Sequence, residues 1–352
     1  MANRVRHVKR AERGGSPLGD ASLGEFDIIV RYFAPLATAP AALALGDDAA
    51  VLPVFAGEEL VVTCDTIVEG VHFLPDDPPT SIGHKVLAVN LSDLAAKGAE
   101  PYAYLLALSL REATPEWLEG FARGLGALQR TAGIALIGGD TSGTPGRITL
   151  SVTALGRVPQ GKAVLRSGAR GGDRIYVSGS IGAAHLGLRL RQEPRLAKAW
   201  VLAPAEAAAL IERYQRPEPR CRLAPLLRRY AHAAIDVSDG LVGDIEKLCT
   251  ASKVAAVIQA DRVPHAAAVD KALAREPHLL QELITAGDDF EIVAAVPEAR
   301  ATAFEAAALE QEVRVTAIGK IVVGNAEVAV LDGEGRPLRL PHKGYAHFRA
   351  SP

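Results

Sequence analysis

The sequence predicts a mixed α/β protein built from two αβ domains, and three observations carry that prediction. At 352 residues the chain is long for a single core and suits two. Strand-like apolar runs alternate with segments of helical period along most of its length. Short acidic turns recur at the ends of those runs: Gly46-Asp47-Asp48, Thr63-Cys64-Asp65, Gly138-Gly139-Asp140-Thr141, and the Asp236 to Gly240 turn that reads Asp-Val-Ser-Asp-Gly.

Taken in order, residues 1–23 carry Arg4, Arg6, Lys9, Arg10 and Arg13 with no periodicity, which predicts a flexible basic tail. The first domain is expected over 24–156. Ile28, Ile29, Tyr32 and Phe33 recur at helical spacing before Pro35. Strands are expected over 49–54 and 60–65, then a loop from Phe73. Ser81 is expected to cap a helix running to about Lys97, with Gly98 as its stop. Along that helix Ile82, Val86, Leu87, Leu91 and Leu94 form the apolar stripe. Asn90, Asp93 and Lys97 share another face, either solvated or functional. A strand over 104–110, a helix over 115–132, a strand over 134–137 ending in the Gly138–Gly139 turn, and a strand over 148–155 complete this half.

The second domain is expected over 157–352. Its beginning, Gly156 to Lys162, has the spacing of a phosphate-binding loop, but Ala163 stands where a magnesium-binding hydroxyl belongs and no helix follows. It reads as a domain junction instead. A strand over 173–178, a helix through 190, a long helical stretch over 195–214, a Pro-rich linker and a helix over 221–231 lead to the Asp236 turn. There Ser238 or Asp239 is expected to cap the helix starting at Leu241. Thr285 to Val293 echoes Leu45 to Leu52, a hint that the two halves are related.

Composition narrows the function classes. A formal net charge of -2 argues against a nucleic-acid partner. Cys64, Cys221 and Cys249 have neither paired nor metal-finger spacing, which favours a reducing compartment. The apolar run over 102–110 is far short of the roughly 20 residues that a membrane span needs, and the basic start lacks the apolar stretch of a signal peptide. A cytoplasmic protein is expected.

The acidic turns set the chemistry. Asp48, Asp65, Asp93, Asp140, Asp236 and Asp239 would repel one another if gathered without cations. With magnesium they become oxygen ligands, leaving coordination positions for water and phosphate. A calcium loop is excluded at Asp236 because its glycine falls at the fifth position instead of the sixth, and zinc lacks a Cys/His cluster.

Eight blocks, in order, resemble the thiamine-monophosphate kinase family of the aminoimidazole-ribonucleotide-synthetase-like superfamily. They are Gly-Glu-Phe-Asp (24–27), Gly-Asp-Asp-Ala-Ala-Val-Leu (46–52), Asp-Thr-Ile-Val-Glu-Gly-Val-His-Phe (65–73), Leu-Ala-Val-Asn-Leu-Ser-Asp-Leu-Ala-Ala-Lys-Gly-Ala (87–99), Gly-Gly-Asp-Thr (138–141), Arg-Ser-Gly-Ala (166–169), Ile-Asp-Val-Ser-Asp-Gly-Leu (235–241) and Lys-Gly-Tyr-Ala-His-Phe (343–348). The resemblance spans the chain from Gly24 to Phe348. It implies ATP-dependent phosphorylation of thiamine monophosphate to thiamine diphosphate with several Mg²⁺ ions and no acid–base residue. It further implies that Asp48, Thr63, Asp65, Asp93, Asp140, Asp236 and Asp239 hold metal. Gly139, Asp140, Arg166 and Ser238 would contact ATP, and His72, Asp288 and Tyr345 would contact thiamine monophosphate. The implied fold is that of the superfamily, with amino-terminal domains pairing into a β-barrel in a homodimer.

Three positions depart from the family pattern. Cys64 replaces a Ser or Thr, Ala286 a common Gly, and Asp288 a common Glu. Taken alone, His72 is an ordinary loop histidine, Tyr345 an anchoring aromatic and Arg166 a surface cation; their place in the pattern raises them. The competing expectations are another ATP-using enzyme of the superfamily and a non-catalytic protein binding magnesium nucleotide or thiamine phosphate.

Overall fold

The computed structural model describes residues 24–45, 49–50 and 52–345, so the basic tail and Asp48 lie outside the described residues. The first half runs α1 (Glu25–Ile28), β1 (Glu58–Val68), α2 (Pro79–Ala96), β2 (Glu100–Leu110), α3 (Pro115–Ala132), β3 (Ala135–Gly143) and β4 (Thr149–Pro159). Its four strands form one sheet in the order β1-β4-β2-β3, with β2 and β3 parallel and the other pairs antiparallel. Along β4, Leu150, Val152, Ala154 and Val158 are buried, while the alternate residues are half-buried. That period of two is the signature of a sheet with one covered face. The sheet stays open in the single chain, with β1 and β3 as its edges.

The second half runs β5 (Arg174–Ser178), α4 (Ala183–Gln192), α5 (Leu196–Ala199), α6 (Pro204–Gln215), α7 (Ala224–Tyr230), β6 (Ala233–Val237), α8 (Leu241–Ser252), β7 (Ala255–Gln259), α9 (Ala267–Arg275), α10 (Leu279–Leu283), β8 (Glu291–Val296), α11 (Ala301–Glu310), β9 (Val315–Val322) and β10 (Val328–Leu331). Six strands pair in the order β10-β7-β9-β5-β8-β6. The mixed α/β class is as the sequence predicts.

Several local expectations are corrected. No strand forms among the described residues of 49–54. The expected Gly138–Gly139 turn is instead the middle of β3, which stays paired with β2 as far as Gly143. Glycine suits this pairing because a Cβ on Gly139 would lie 1.8 Å from the Leu106 carbonyl oxygen. The helical stretch over 195–214 breaks into α5 and α6, with Pro204 starting the second. The helix expected over 221–231 starts as a 3-10 turn at Cys221–Leu223. Ser81 is not a cap: α2 starts at Pro79, and the Ser81 hydroxyl donates to the Pro78 carbonyl at 2.8 Å.

Helix α2 is the centre of the molecule. Of the face that the sequence left open between solvent and function, Asn90 is fully buried and Asp93 and Lys97 are half-buried, while Ser92, Val86, Leu87, Leu91 and Leu94 are fully buried as well. One side packs on β1, β4 and α3, and the other meets β6, β8 and α7 of the second half. A helix buried nearly all round needs close approach somewhere, and glycines supply it against α3. A Cβ on Gly83 would fall 2.1 Å from the Phe121 carbonyl oxygen, and one on Gly124 would fall 1.9 Å from that of Thr80. Gly83→Ala is therefore expected to force the helices apart and to cost about 1–3 kcal/mol. Urea unfolding measures this; unchanged stability would show that the contact yields freely.

Candidate functional site

One cleft of about 640 Å³ lies where the two halves meet. Its walls include Asp65 from β1, Asp93 and Val89 from α2, His72 from the loop after β1, and Asp236, Ser238 and Asp239 from the end of β6 and the turn beyond it. Arg166, Asp288 and Tyr345 line it as well. Nine of the sequence-predicted positions thus share one cavity although they span residues 65 to 345.

The acidic wall is assembled by short polar contacts to α2. Asn90 Oδ1 accepts from the Asp65 backbone N–H at 3.1 Å, and the Ser92 hydroxyl donates to Asp236 Oδ2 at 3.0 Å. The Thr63 hydroxyl donates to Asp93 Oδ2 at 2.5 Å, so Thr63 supports the cluster without lining the cleft. Burial pushes the Asp65 carboxyl up to about 6, aided by the charges of Asp93 and Asp239. Burial likewise raises Asp236, with Asp93, Asp244 and Asp65 acting in the same direction and the Ser92 hydrogen bond opposing them. Loss of water and the nearness of like charges both disfavour the ionised form of these two carboxyls.

Two cations stand at the margin. Arg166 is exposed on the cleft wall, while Lys97 is half-buried and donates to the Ala234 carbonyl at 3.0 Å. Burial lowers the Lys97 ammonium to about 8, and Arg166 pushes it the same way.

The Asp236 turn is held differently from the expectation. Neither Ser238 nor Asp239 caps α8, whose N-cap is Gly240. Instead Asp244, one turn into the helix, reaches back: its Oδ2 accepts from the N–H groups of Ser238, Asp239 and Gly240 at 3.0, 3.0 and 3.1 Å. Three backbone donors on one buried carboxylate oxygen fix the turn's shape. Lys247 spans Asp239 and Asp244 at 2.5 and 2.7 Å, so Asp239 already faces a protein cation.

The opposite wall is built on the same turn. Asp288 N–H donates to the Ser238 carbonyl at 2.9 Å, Phe290 N–H to that of Val237 at 2.8 Å, and Tyr345 N–H to that of Asp239 at 2.8 Å. Asp288 and Phe290 take φ of 76° and 50°, left-handed values that ordinary side chains avoid. His72 Nδ1 accepts from the Val68 N–H at 3.0 Å, which puts the proton of a neutral ring on Nε2.

Three predicted positions stand apart. Asp48 lies outside the described residues. Gly139 and Asp140 are exposed on β3, at the far edge of the first sheet. Gly139 is level with Asp65 across the pairs Asp65–Val152, Val152–Leu106 and Leu106–Gly139. Three strand spacings of roughly 4.8 Å separate the two edges, about 14 Å in all. Within one chain Gly139 and Asp140 do not join the cleft.

Cys64 points to the sheet's other face, where its sulfur is 3.6 Å from the Ser151 hydroxyl and accepts from Thr153 at 3.4 Å. The wall is therefore an oxygen donor set. Among the described residues no three His, Cys, Asp or Glu side chains could by themselves hold one ion. Carboxylate and hydroxyl oxygens suit Mg²⁺, which takes one or two carboxylates and completes its octahedron with water and phosphate; zinc favours thiolate and imidazole donors.

Sequence reasoning missed Asp244, Lys247 and Ser92, and the buried Lys85, whose ammonium bonds Asp288 at 2.9 Å. Ser92 sits in the 87–99 block and could have been found there. Asp244 carries no such mark, since an acidic residue in a first helical turn ordinarily just complements the helix dipole.

The raised Asp65 carboxyl has a sign that can be checked. Its folded value lies above the unfolded one, so its contribution is fully present below about pH 4 and is lost as pH rises through about 6. In chelator, Asp65→Asn is expected to gain several degrees of melting temperature relative to the unmodified protein between pH 5 and pH 8. A difference that stays constant across that range would contradict the repulsion.

Comparison with known proteins completes the picture. A family model described as "AIR synthase related protein, N-terminal domain" matches residues 46–158, and its C-terminal counterpart matches 170–332. Thiamine-monophosphate kinase from Caulobacter vibrioides is 41% identical over 92% of this chain and 90% of its own length. The protein of that name from Escherichia coli K12 is 38% identical over 92% and 98%. Among solved structures, thiamine-monophosphate kinase from Stenotrophomonas maltophilia K279a has 43% identity and a TM-score of 0.75, covering 81% of this chain and 89% of its own. The structure described as "AaThiL complexed with AMPPCP and TMP" has 28% identity and a TM-score of 0.73, covering 92% and 97%.

Proposed function

The chain belongs to the thiamine-monophosphate kinase family, and we propose that it transfers the γ-phosphoryl group of ATP to thiamine monophosphate, giving thiamine diphosphate and ADP. The observation that carries this reading is the two-walled cleft. Asp65, Asp93 and Asp236 stand on one wall, and His72, Asp288 and Tyr345 line the same cavity.

The acceptor is itself a phosphate monoester, with a second pKa of about 6, so near neutral pH it is largely a dianion. Its oxygen needs no general base, consistent with the absence of any acid–base assignment. The obstacle is repulsion between that dianion and the triphosphate. Mg²⁺, when bound at Asp65, Asp93 and Asp236, would screen that repulsion and neutralise charge on the transferring group. Arg166 and Ser238 are assigned to the nucleotide, with Arg166 adding a fixed cation at the margin. His72, Asp288 and Tyr345 are assigned to the acceptor. The new P–O bond forms as the β,γ-bridging P–O bond breaks on the opposite side, and the bonding pair leaves on ADP.

The working division is 24–156 for the metal- and ATP-binding domain, 157–352 for the second domain, and 1–23 for a tail. A homodimer whose first sheets close into a barrel gives Gly139 and Asp140 a role. Pairing of the open β1 edge with the partner's β3 edge would carry Gly139 and Asp140 of the partner subunit toward the strand that holds Asp65. Asp48 and Thr63 complete the proposed metal set. A cytoplasmic setting is supported by three free cysteines, and no helix among the described residues is long and apolar enough to cross a membrane.

Two measurements check this. With ATP, Mg²⁺ and thiamine monophosphate, a chiral γ-phosphoryl group should emerge inverted; retention would demand a phosphoenzyme. Asp93→Asn, Asp140→Asn and Asp236→Asn should each lower turnover on the order of 10²-fold or more, as losing a developing-charge contact does. None should lose stability to match its loss of turnover, and Asp236→Asn relieves the burial of a charge. Full activity in all three variants would remove the metal assignment, and nucleotide binding without ADP release would indicate a non-catalytic protein.

A further inference from the structure

Lys85 is 2% exposed on its side chain and sits on α2, behind the cleft and not among its lining residues. Lysine is seldom buried so completely unless its charge is matched. Here the ammonium donates to the His72 carbonyl at 2.8 Å and to Asp288 Oδ2 at 2.9 Å, and it lies 4.1 Å from the Tyr214 ring centroid. Its partners come from three separate places: the loop after β1, the segment between α10 and β8, and α6. Two of them, His72 and Asp288, belong to the wall assigned to the acceptor.

We propose that Lys85 is a positioning residue for thiamine monophosphate, acting through Asp288 and the His72 loop across the junction of the two halves. The proposal rests on the kinase reading above. Asp288 needs such a device because its backbone is in the left-handed region, at φ 76°. A conformation of that kind persists only where surrounding contacts over-determine it. The Ser238 carbonyl fixes the Asp288 backbone and Lys85 fixes one carboxylate oxygen. Asp288 keeps 27% of its side chain exposed and lines the cleft, so a ligand can still reach the carboxylate. The thiazolium ring of the acceptor is a cation. A carboxylate held in one orientation, with a buried ammonium behind it, can meet that cation without reorganising. A lysine retained only for stability would have no reason to hold both acceptor-side segments at once, since a buried ion pair contributes little net stability over apolar packing.

Steady-state kinetics on the full chain tests this with Lys85→Met, Asp288→Asn and the double variant, alongside Lys85→Gln, which keeps an N–H donor without the charge. Lys85→Met should raise KM for thiamine monophosphate about tenfold or more while KM for ATP stays within twofold. Lys85→Gln should fall between it and the unmodified protein. In the Asp288→Asn background the same Lys85→Met change should raise the thiamine monophosphate KM by a clearly smaller factor than in the unmodified protein, because the Asp288 part of the route is already gone and only the His72 contact remains. Equal shifts in both KM values, or an effect as large in the Asp288→Asn background, would overturn the proposal. If Lys85→Met does not fold, the Lys85→Gln pair gives the same cycle and decides it. Lack of turnover by the unmodified protein would instead sink the kinase reading, and this inference with it.

Discussion

Carboxylates crowded at one point repel, and the repulsion among Asp65, Asp93 and Asp236 is the constraint that the rest of the molecule is arranged around. Two of the three are pushed upward, Asp65 to about 6, because burial removes water and neighbouring charges are of the same sign. Stability alone would not gather them, since each is better solvated apart. A site that must attract divalent cations and two phosphate-bearing ligands gives the arrangement a purpose. The few protein cations nearby are off-centre: Lys247 is committed to Asp239 and Asp244, and Lys97 to the Ala234 carbonyl.

What makes the crowding possible is α2. Its apolar residues are buried, and so are three of its polar ones: Asn90 against β1, and Ser92 and Lys85 against groups of the second half. Asn90, Ser92 and Asp93 occupy successive parts of one helix and reach the Asp65 strand, the Asp236 strand and the cleft. The same helix carries Lys85 to the acceptor wall. Relative movement of the two halves would break the Ser92–Asp236 and Lys85–Asp288 contacts together, so the site is complete only when the halves are docked.

The class of fold was legible from alternating periodicities, and α3 was readable to the residue because Thr114, Pro115 and Gly133 punctuate it. The cleft was legible only in part. Asp65, Asp236 and Asp239 stood out as acidic residues at expected strand ends and turns, and Asp93 as one on a helix face, although β1 in fact continues past Asp65 to Val68. Periodicity could not say that the polar face of α2 is buried, since a solvated face and an interdomain face have the same spacing. Glycines misled at 138–143, where they permit close strand pairing instead of a turn. Asp244 and Lys85 escaped notice because their roles come from what they touch in space. Asp140 is placed by sequence pattern beside metals but by the fold on a distant sheet edge, which is why its proposed role calls for a second subunit.

The most direct test of this account is to see the ions. Anomalous diffraction from crystals grown with Mn²⁺ in place of Mg²⁺, a non-hydrolysable ATP analogue and thiamine monophosphate would locate them. Ions ligated by Asp65, Asp93 or Asp236 and bridging to the nucleotide phosphates are expected. Both ligands bound in the cleft with those three carboxylates bare, and ions elsewhere, would contradict it.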